Sequence, residues 1–302
     1  MVVLVGPTAS GKTALGISIA RALGGEILSA DSQQIYRGFD LGTAKPSAAE
    51  RGLASHHLID LVEPTETFSA GAFARAADEE IARLTARKIL PIVVGGTGLW
   101  VRALLLGIID LPSGDAALRK SLEEEAREKG AEALHARLAA IDPVTAAATP
   151  AANVVRVMRA LEIHAVSGRR PSELRAEHAF ARLRYRATVL GLNPFRPELY
   201  RRIDARTRAM FEGGLLDEVR RHVAAGLRDA PAMRAIGYRE ALAVVDGTLS
   251  QEDAVARTAQ ASRHYAKRQL TWFRADPLVE WLPWPVDEAA LISRLSSERR
   301  RG

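Results

Sequence analysis

The sequence has no cysteine among its 302 residues. This absence excludes disulfides, thiolate nucleophiles and zinc sites with cysteine ligands, and it fits a reducing compartment. The start of the chain gives no sign of a secretion leader, because the apolar run after Met1 covers only Val2 to Val5 before Gly6. We therefore expect a cytoplasmic protein that is not exported.

Long hydrophobic runs are lacking as well. The longest apolar stretches, residues 89–94 and 99–109, are much shorter than the roughly 20 residues that a helix needs to cross a bilayer. We expect no transmembrane segment. With 47% hydrophobic and 26% charged residues the composition is that of a folded protein, and the length favours two lobes over one.

Negative charge is in the minority. Lysine and arginine total 42 against 36 aspartates and glutamates, which gives a formal net charge of +6. A positive balance suits a polyanionic partner such as a nucleic acid. A solvated, arginine-rich surface explains the same balance equally well, so charge alone does not decide.

The first third of the sequence alternates apolar strand-like runs with amphipathic stretches. Continuous apolar runs are typical of buried parallel strands, and apolar residues spaced three or four apart are typical of helices. The pattern predicts strands at 2–5, 26–30 and 89–94 and helices at 13–23 and 69–86. This alternation indicates an α/β fold, a P-loop NTPase-like parallel sheet flanked by helices.

The pattern changes after Pro112. Residues 115–168 show only helical periodicity, interrupted at Gly130, Pro143 and Pro150, which predicts an inserted all-helical domain. Strand character returns at residues 185–192, and helices follow with breaks at glycines 213, 214, 226 and 247. Ser250 and Asp253 predict the start of a long final helix that reaches Arg274. The predicted domains are 1–112 with 186–302 for the catalytic core, and 113–185 for the insertion.

A complete phosphate-binding motif stands between the first predicted strand and helix. The motif G-x-x-x-x-G-K-[ST] is matched by Gly6, Pro7, Thr8, Ala9, Ser10, Gly11, Lys12 and Thr13. Its glycines let backbone N–H groups wrap phosphate oxygens, Lys12 supplies a cation, and Thr13 supplies a hydroxyl for Mg²⁺. The motif predicts binding of a di- or triphosphate and does not by itself identify ATP.

One carboxylate is predicted to face the phosphates. Asp31 follows the second predicted strand, and the carboxyl ends of parallel strands border one crevice. The third strand ends in Gly95 and Gly96, where a nucleoside triphosphatase commonly has an acid, so Asp31 is the leading candidate for metal binding or base catalysis. Asp60 is the competing candidate.

Other polar and aromatic clusters have a structural interpretation beside a functional one. The adjacent residues His56 and His57 would point to opposite faces of a strand, so we favour a structural role over a metal site. Trp272 and Phe273, near the end of a basic helix, could stack on bases, but such a pair more often packs in the core. Arg156 and Arg159 share one helix face in the insertion, and either RNA binding or a solvated face accounts for them.

Several motifs together resemble one family, the tRNA dimethylallyltransferases, also called tRNA isopentenyltransferases. The resemblance extends over nearly the whole chain. Beyond the phosphate-binding motif it is carried by residues 29–38 (SADSQQIYRG), 40–46 (DLGTAKP), 95–100 (GGTGLW), 159–162 (RALE), 235–238 (AIGY) and 267–273 (KRQLTWF).

The resemblance implies a reaction and its reactants. A dimethylallyl group would pass from dimethylallyl diphosphate to the exocyclic amine of the adenosine 3′-adjacent to the anticodon, in tRNAs that read codons beginning with U. Mg²⁺ is the implied cofactor, no membrane is involved, and we expect a monomer. Such a transfer needs the leaving charge neutralised and the amine deprotonated, which the phosphate-binding loop and Asp31 can provide.

The resemblance also assigns site residues. The phosphate-binding loop, with Lys12 and Thr13 as catalytic residues, would hold the diphosphate, and Asp31 would be the general base. The predicted tRNA contacts are Asp31, Ser32, Gln33, Gln34, Thr97, Arg119, Val155, Arg156, Val157, Met158 and Arg159. Asn153 and Val155 stand where the family usually has an acid and a glutamine, and Trp100 replaces a tyrosine.

Two alternative functions use the same features differently. A small-molecule kinase would bind ATP at the phosphate-binding loop and need no RNA surface, but the sequence lacks an evident arginine-bearing lid. A non-enzymatic tRNA-binding module would not explain the phosphate-binding loop.

Overall fold

The computed structural model describes residues 1–108, 116–178 and 183–300, which form two compact units. One unit, the core unit, consists of Met1–Leu105 and Arg184–Gly302, and the other, the helical unit, is Leu106–Leu183. In the core unit the chain first forms four strands and four helices: β1 Val2–Val5, α1 Lys12–Leu23, β2 Gly25–Ser29, α2 Ala48–Leu53, β3 His56–His57, α3 Ala70–Ala86, β4 Leu90–Gly95 and α4 Gly98–Leu106.

The described part of the helical unit contains helices alone. They are α5 Ala116–Lys129, α6 Ala131–Ile141, α7 Pro143–Ala147, α8 Val154–Ser167 and α9 Pro171–His178. Buried leucines of α5 and α6 pack against apolar residues of α8, among them Leu122, Leu134, Leu138 and Val157. The helical periodicity of the sequence and the breaks at Gly130, Pro143 and Pro150 agree with these boundaries.

The chain then returns to the core unit. The remaining elements are β5 Thr188–Gly191, α10 Arg196–Glu212, α11 Leu215–Ala224, a 3₁₀ helix Pro231–Arg234, α12 Tyr238–Val245, α13 Gln251–Arg274, β6 Val279–Trp281 and α14 Glu288–Arg300. The Ser250 side chain accepts a hydrogen bond from the Asp253 N–H, so α13 begins where the sequence predicts. The prediction that it is the last helix is wrong, because β6 and α14 follow.

The sheet has six strands in the order β3-β2-β4-β1-β5-β6, and every neighbouring pair is parallel. This confirms the predicted α/β class with a parallel sheet flanked by helices. Val2 and Leu4 of β1 belong to a buried cluster with α1 and α14. Because all strands run the same way, the carboxyl ends of β1, β2 and β4 meet at one edge.

Candidate active site

A cavity of about 650 Å³ opens at the carboxyl edge of the sheet in the core unit. It is lined by the phosphate-binding loop after β1, by the segment that follows β2, and by Gly95 at the end of β4. Residues of α10 and α13 complete the lining, including Arg202, Arg206, Tyr265 and Gln269. The sequence predicts that the three strand ends border the site, but it does not predict the contribution of the two helices.

The phosphate-binding loop has the backbone that an anion site requires. Gly6 has φ 148°, and a Cβ there would lie 2.8 Å from the Leu192 carbonyl oxygen, so glycine is needed for conformation and for space. Gly11 precedes α1 with no side-chain cap on the helix. The first N–H groups of α1 therefore keep no internal partner, and they favour a bound anion.

Two cations face this loop. The Lys12 ammonium donates to the Pro7 carbonyl at 2.6 Å, and Arg206 donates to the Thr8 hydroxyl at 3.3 Å. Burial lowers the pKa of Lys12 to about 7, opposed by Asp31 and reinforced by Arg206. Burial also lowers the pKa of Arg206, again opposed by Asp31. Within the described ranges neither Lys12 nor Arg206 has an ion pair with a carboxylate, so both remain available to bind phosphates.

Asp31 lies in the cavity where the sequence places it. Its Oδ1 accepts the Gln33 N–H at 2.9 Å, which orients the carboxylate within a tight turn. The Ser32 N–H donates to the Thr97 hydroxyl oxygen at 3.0 Å, which connects the turn to the loop after β4. The structure thus brings Asp31, Ser32, Gln33 and Thr97 together at one edge.

Both polar ends of the Gln34 side-chain amide form hydrogen bonds within the protein. It accepts a hydrogen bond from the Ser29 hydroxyl at 2.8 Å and donates to the Ala44 carbonyl at 3.1 Å. These bonds tie β2 to the segment that precedes α2. A base contact from this side chain would require that one of them be replaced.

Asp60 does not line the cavity among the residues that the structure describes. Its carboxylate pairs with the buried Lys45 ammonium at 2.5 Å and with Arg51 at 3.4 Å. Lys45 also pairs with Asp40 at 2.7 Å. Asp60 therefore neutralises a buried cation. Because Asp31 lines the cavity, it remains the better candidate of the two carboxylates for metal binding or base catalysis.

The two adjacent histidines have different surroundings. His57 lies between two carboxylates, with Nε2 2.6 Å from Glu26 and Nδ1 2.9 Å from Glu80. His56 bonds the Ala54 carbonyl through Nδ1 at 2.8 Å and lines the cavity, and burial is the main cause that lowers its pKa. Among the described residues no group of three or more histidines, cysteines or acids could hold a metal.

Two of the three arginines predicted to contact tRNA, Arg119 and Arg159, bond one buried acid in the helical unit. Glu162 is 1% exposed, and it accepts Arg119 Nε at 2.7 Å and Arg119 Nη2 at 3.0 Å. Arg159 Nη1 donates to the same carboxylate at 3.2 Å. The Arg119 hydrogen bonds are the largest cause that lowers the Glu162 pKa. Glu162 thus fixes both guanidinium groups at the surface of this unit.

The predicted RNA-contacting segment 155–159 divides into two faces. Val155 is 72% exposed and Arg156 is exposed, but Val157 is 0% and Met158 9% exposed within the core of the helical unit. Direct RNA contact from the Val157 and Met158 side chains is therefore incorrect for this arrangement. A helix turns 100° per residue, so consecutive residues cannot all face one partner.

The two aromatic residues near the end of α13, Trp272 and Phe273, have different surroundings. Phe273 is 1% exposed and belongs to the core. Trp272 lines a shallow surface depression with His264, Lys267, Arg268 and Thr271. A Cβ on Gly98 would lie 2.2 Å from the Trp272 ring, so the indole packs directly on the start of α4. Trp100, in turn, is buried and stacks on Phe73 with ring centroids 4.5 Å apart.

The sequence reasoning missed Arg206 and Tyr265. Arg206 and Tyr265 lie far from the phosphate-binding motif in sequence and reach the cavity only through packing of α10 and α13. Burial, with the nearby Asp31, raises the pKa of Tyr265 to about 12, so its hydroxyl stays protonated.

No helix in the described part of the chain is long and apolar enough to span a bilayer, as the sequence predicts.

Comparison with known proteins identifies a consistent set of relatives. Residues 34–276 match the family described as IPP transferase. A tRNA dimethylallyltransferase of Anaeromyxobacter dehalogenans is 55% identical over 299 residues, covering 99% of this chain and 98% of the relative. The tRNA dimethylallyltransferase of Myxococcus xanthus is 50% identical, covering 96% and 94% of the two chains.

Solved structures agree with these relatives. A tRNA isopentenylpyrophosphate transferase from Bacillus halodurans has a TM-score of 0.72 and 38% identity, covering 99% of this chain and 96% of its own. A eukaryotic dimethylallyltransferase described as acting on tRNA has a TM-score of 0.81 and 26% identity, covering 99% of this chain and 77% of its own.

Proposed function

Because the chain belongs to the IPP transferase family, the tRNA dimethylallyltransferases, we propose a specific prenyl transfer for its cavity. The chain is a tRNA-modifying transferase. The donor is dimethylallyl diphosphate, and the acceptor is the exocyclic amine of the adenosine 3′-adjacent to the anticodon in tRNAs that read U-starting codons. The product is isopentenyladenosine, and the enzyme acts as a monomer in the cytoplasm.

The observation that carries the proposal is the convergence of opposite charges in one cavity. Lys12 and Arg206 lack an ion pair among the described residues, while Asp31 lines the same cavity and acts electrostatically on both. The cations and the first N–H groups of α1 stabilise a diphosphate leaving group. Asp31 supplies a base for the other reactant.

These groups account for the leaving group and the proton of the proposed reaction. The amine nitrogen forms a bond to C1 of the dimethylallyl group while the bond from C1 to the diphosphate oxygen breaks, and the diphosphate leaves with that electron pair. Asp31 accepts the proton that the alkylated amine loses. Lys12 and Arg206 stabilise the charge that develops on the leaving oxygen.

The oxygen ligands at the site fit Mg²⁺. Thr13 lies in the first turn of α1. Thr13 and Asp31 line the same cavity, and their side chains offer the hard oxygen ligands that magnesium prefers. Thr13 would hold the ion together with the substrate phosphates. Bound Mg²⁺ would supply further neutralisation of the leaving charge.

The acceptor adenine has to leave the base stack to reach the cavity. Bases that enzymes modify are turned out of the stack and recognised by hydrogen bonds to their edges. We assign this recognition to the turn that Asp31, Ser32 and Gln33 form, which Thr97 holds in place. Gln34 supports the turn from behind.

The helical unit contributes charge for the tRNA backbone. Arg119 and Arg159, both oriented by Glu162, and the exposed Arg156 and Val155 form the surface that we propose contacts tRNA. Arginine pairs of this kind bind phosphates with defined geometry. The surface orients the RNA, and the cavity selects the base.

One experiment separates this function from a kinase. Consumption of dimethylallyl diphosphate with bulk tRNA is measured beside consumption of ATP with small hydroxyl acceptors, using the same protein and Mg²⁺. We expect prenylated tRNA and no ATP turnover above background. ATP turnover without prenylated tRNA would establish the kinase.

A further inference from the structure

A buried glutamine joins the phosphate-binding loop to the end of β4. Gln269, on α13, is 5% exposed. Its Oε1 accepts the Thr8 N–H at 2.8 Å, and its Nε2 donates to the Gly96 carbonyl at 2.9 Å. The two partners fix the orientation of the amide, because one can only donate and the other can only accept.

Gly96 is shaped to receive this amide. A Cβ on residue 96 would lie 2.1 Å from Gln269 Nε2 and 3.3 Å from the Gly6 carbonyl oxygen. The residue is a glycine because two other segments approach its backbone closely, one of them the phosphate-binding loop itself. Gln269 therefore occupies the space between the two loops that border the cavity.

The same network continues toward the proposed base. Tyr265, one turn earlier on α13, lines the same cavity as Gln269, and the side chains of Thr97 and Gln269 act to lower its pKa against the larger effect of burial. Thr97 in turn accepts the Ser32 N–H at 3.0 Å. Thr97 directly follows Gly96, and Ser32 directly follows Asp31, so the Gln269 bonds to Thr8 and Gly96 connect the phosphate-binding loop to the segment that carries the base.

We propose that Gln269 is a positioning residue that sets the distance between the diphosphate cradle and the Asp31 segment. Both polar ends of its amide are bonded to protein backbone, so it acts on the reaction through these two loops. The inference rests on the proposed prenyl transfer. It matters for rate because a displacement of about 1 Å between reacting groups costs on the order of 100-fold in turnover.

The amide can be tested with a variant of equal size. In Gln269→Glu the second carboxyl oxygen faces the Gly96 carbonyl, so the bridge re-forms only when the carboxyl is protonated. The charged or titratable groups that line the same cavity are Tyr265 and Arg268 on its own helix, Lys12 in the loop, Arg202 and Arg206 on α10, and Asp31, Glu50, His56 and Arg234. Lys12 and Arg206 oppose protonation, and Asp31 and burial favour it.

Affinity for inorganic pyrophosphate with Mg²⁺ gives a readout that needs no prenyl transfer. We expect Gln269→Leu to bind at least about 10-fold more weakly at every pH, since two buried backbone groups lose their partner. Gln269→Glu should match the leucine variant near pH 8 and recover toward wild type near pH 5.5. Gln260→Glu, an exposed position on the same helix, is the matched control and should follow wild type.

Turnover and tRNA affinity complete the test. Single-turnover prenylation should fall by about 100-fold in Gln269→Leu, whereas its affinity for tRNA stays within about 2-fold of wild type. A ratio of Gln269→Glu to wild-type pyrophosphate affinity that does not change with pH would overturn the inference. So would a loss of tRNA affinity that parallels the loss of turnover. Absence of prenylation by the wild type would instead refute the proposed function and leave the pyrophosphate result standing.

Should Gln269→Leu fail to fold, as judged by circular dichroism and a melting curve, the isosteric glutamate variant carries the test alone. Its pH-dependent recovery of pyrophosphate binding is then compared with Gln260→Glu at matched ionic strength.

Discussion

At the scale of single residues, the protonation state of Lys12 can change near neutral pH. Burial lowers its pKa to about 7 from the usual 10.5. In the free enzyme at pH 8 the amine is therefore largely neutral, and an arriving diphosphate restores its charge by drawing in a proton. The ligand and the proton bind together.

This coupling predicts a pH dependence. Pyrophosphate affinity should weaken as pH rises from about 6 to 9, beyond the change due to ionisation of pyrophosphate itself. Calorimetry in buffers of different ionisation enthalpy should detect proton uptake by the wild type. Lys12→Ala is the reference that isolates this contribution, and equal proton uptake by the two proteins would remove Lys12 from the coupling.

The same shift determines what Lys12 does to stability. Its pKa is lower in the folded protein than in the unfolded chain, so between about pH 7 and 10.5 the unfolded chain binds more protons, and stability rises with pH in that window. Below pH 7 the cost of burying the cation is fully present. We expect Lys12→Ala to abolish prenyl transfer without lowering the melting temperature at pH 7. A large drop in melting temperature would show that the lysine holds the loop together.

Asp31 separates a prenyl transferase from a plain phosphate binder. If it accepts the proton, Asp31→Asn keeps the size of the side chain but loses the base, and single-turnover rates should fall by about 10²–10⁴-fold. Diphosphate affinity should barely change. If it binds Mg²⁺ instead, affinity falls and excess metal partly restores it, which a Mg²⁺ titration of both quantities reveals. Wild-type values for both would exclude Asp31 from the mechanism.

The residues that sequence reasoning found are those that a local pattern marks. The phosphate-binding motif and Asp31 each follow a strand directly, so strand prediction places them at one edge. Arg206 has no such mark, because it reaches the Thr8 hydroxyl from a helix nearly two hundred residues away. Asp60 competes with Asp31 in the sequence because nothing local shows that Lys45 is buried beside it.

At the scale of elements, a buried acid on α8, Glu162, orients one arginine of α5, Arg119, and one of α8, Arg159. Glu162 is 1% exposed while the Arg119 side chain is 52% exposed, so the carboxylate lies inside and the guanidinium outside. Loss of either partner leaves a buried or misdirected charge. The arrangement stabilises the helical unit and orients its cationic surface at the same time.

A prediction about stability follows for this element. Glu162→Gln should lower the free energy of unfolding of the helical unit by about 1–3 kcal/mol, because the buried negative charge and one of its two acceptor oxygens are lost. The Glu162 pKa is lowered in the folded state, so its contribution is present above the ordinary carboxyl pKa and fades as pH falls through the lowered value. Hydrogen exchange of α8 amides measures this. Glu177→Gln, whose carboxylate is 62% exposed beside Arg169, is the control and should change little.

Elements were predictable where they are long and periodic. Helices α1, α3 and α13 lie within a few residues of their predicted ranges, and the buried strands β1, β2 and β4 do as well. Strand β6 was missed because it has three residues, at an outer position in the sheet and with partly exposed side chains. Its register comes from pairing with β5, which no local pattern contains.

At the scale of the whole molecule, the structure shows where positively charged residues lie in each unit. The formal charge of +6 is by itself compatible with a solvated surface, but the structure places arginines of the helical unit on an ordered scaffold and cations of the core unit in a cavity. We propose different partners for the two sets of cations: the arginines of the helical unit bind the tRNA phosphate backbone, and the cations of the cavity bind the diphosphate leaving group. Binding at the arginines of the helical unit should weaken strongly as salt concentration rises, whereas binding in the cavity should change less, because buried charges are screened less.

Salt dependence of tRNA binding therefore tests the surface as a whole. The logarithm of the association constant should fall linearly with the logarithm of salt concentration, with a slope set by the number of phosphates bound. Arg159→Ala and Arg156→Ala should each weaken binding and reduce that slope, by somewhat less than one for each phosphate that the variant no longer binds. Arg228→Ala removes the same charge from the core unit, where Arg228 pairs with Asp246, and should leave the slope unchanged. If wild-type binding did not vary between low and physiological salt, the arginines of α8 would be solvated surface residues, and the cavity alone would bind the RNA.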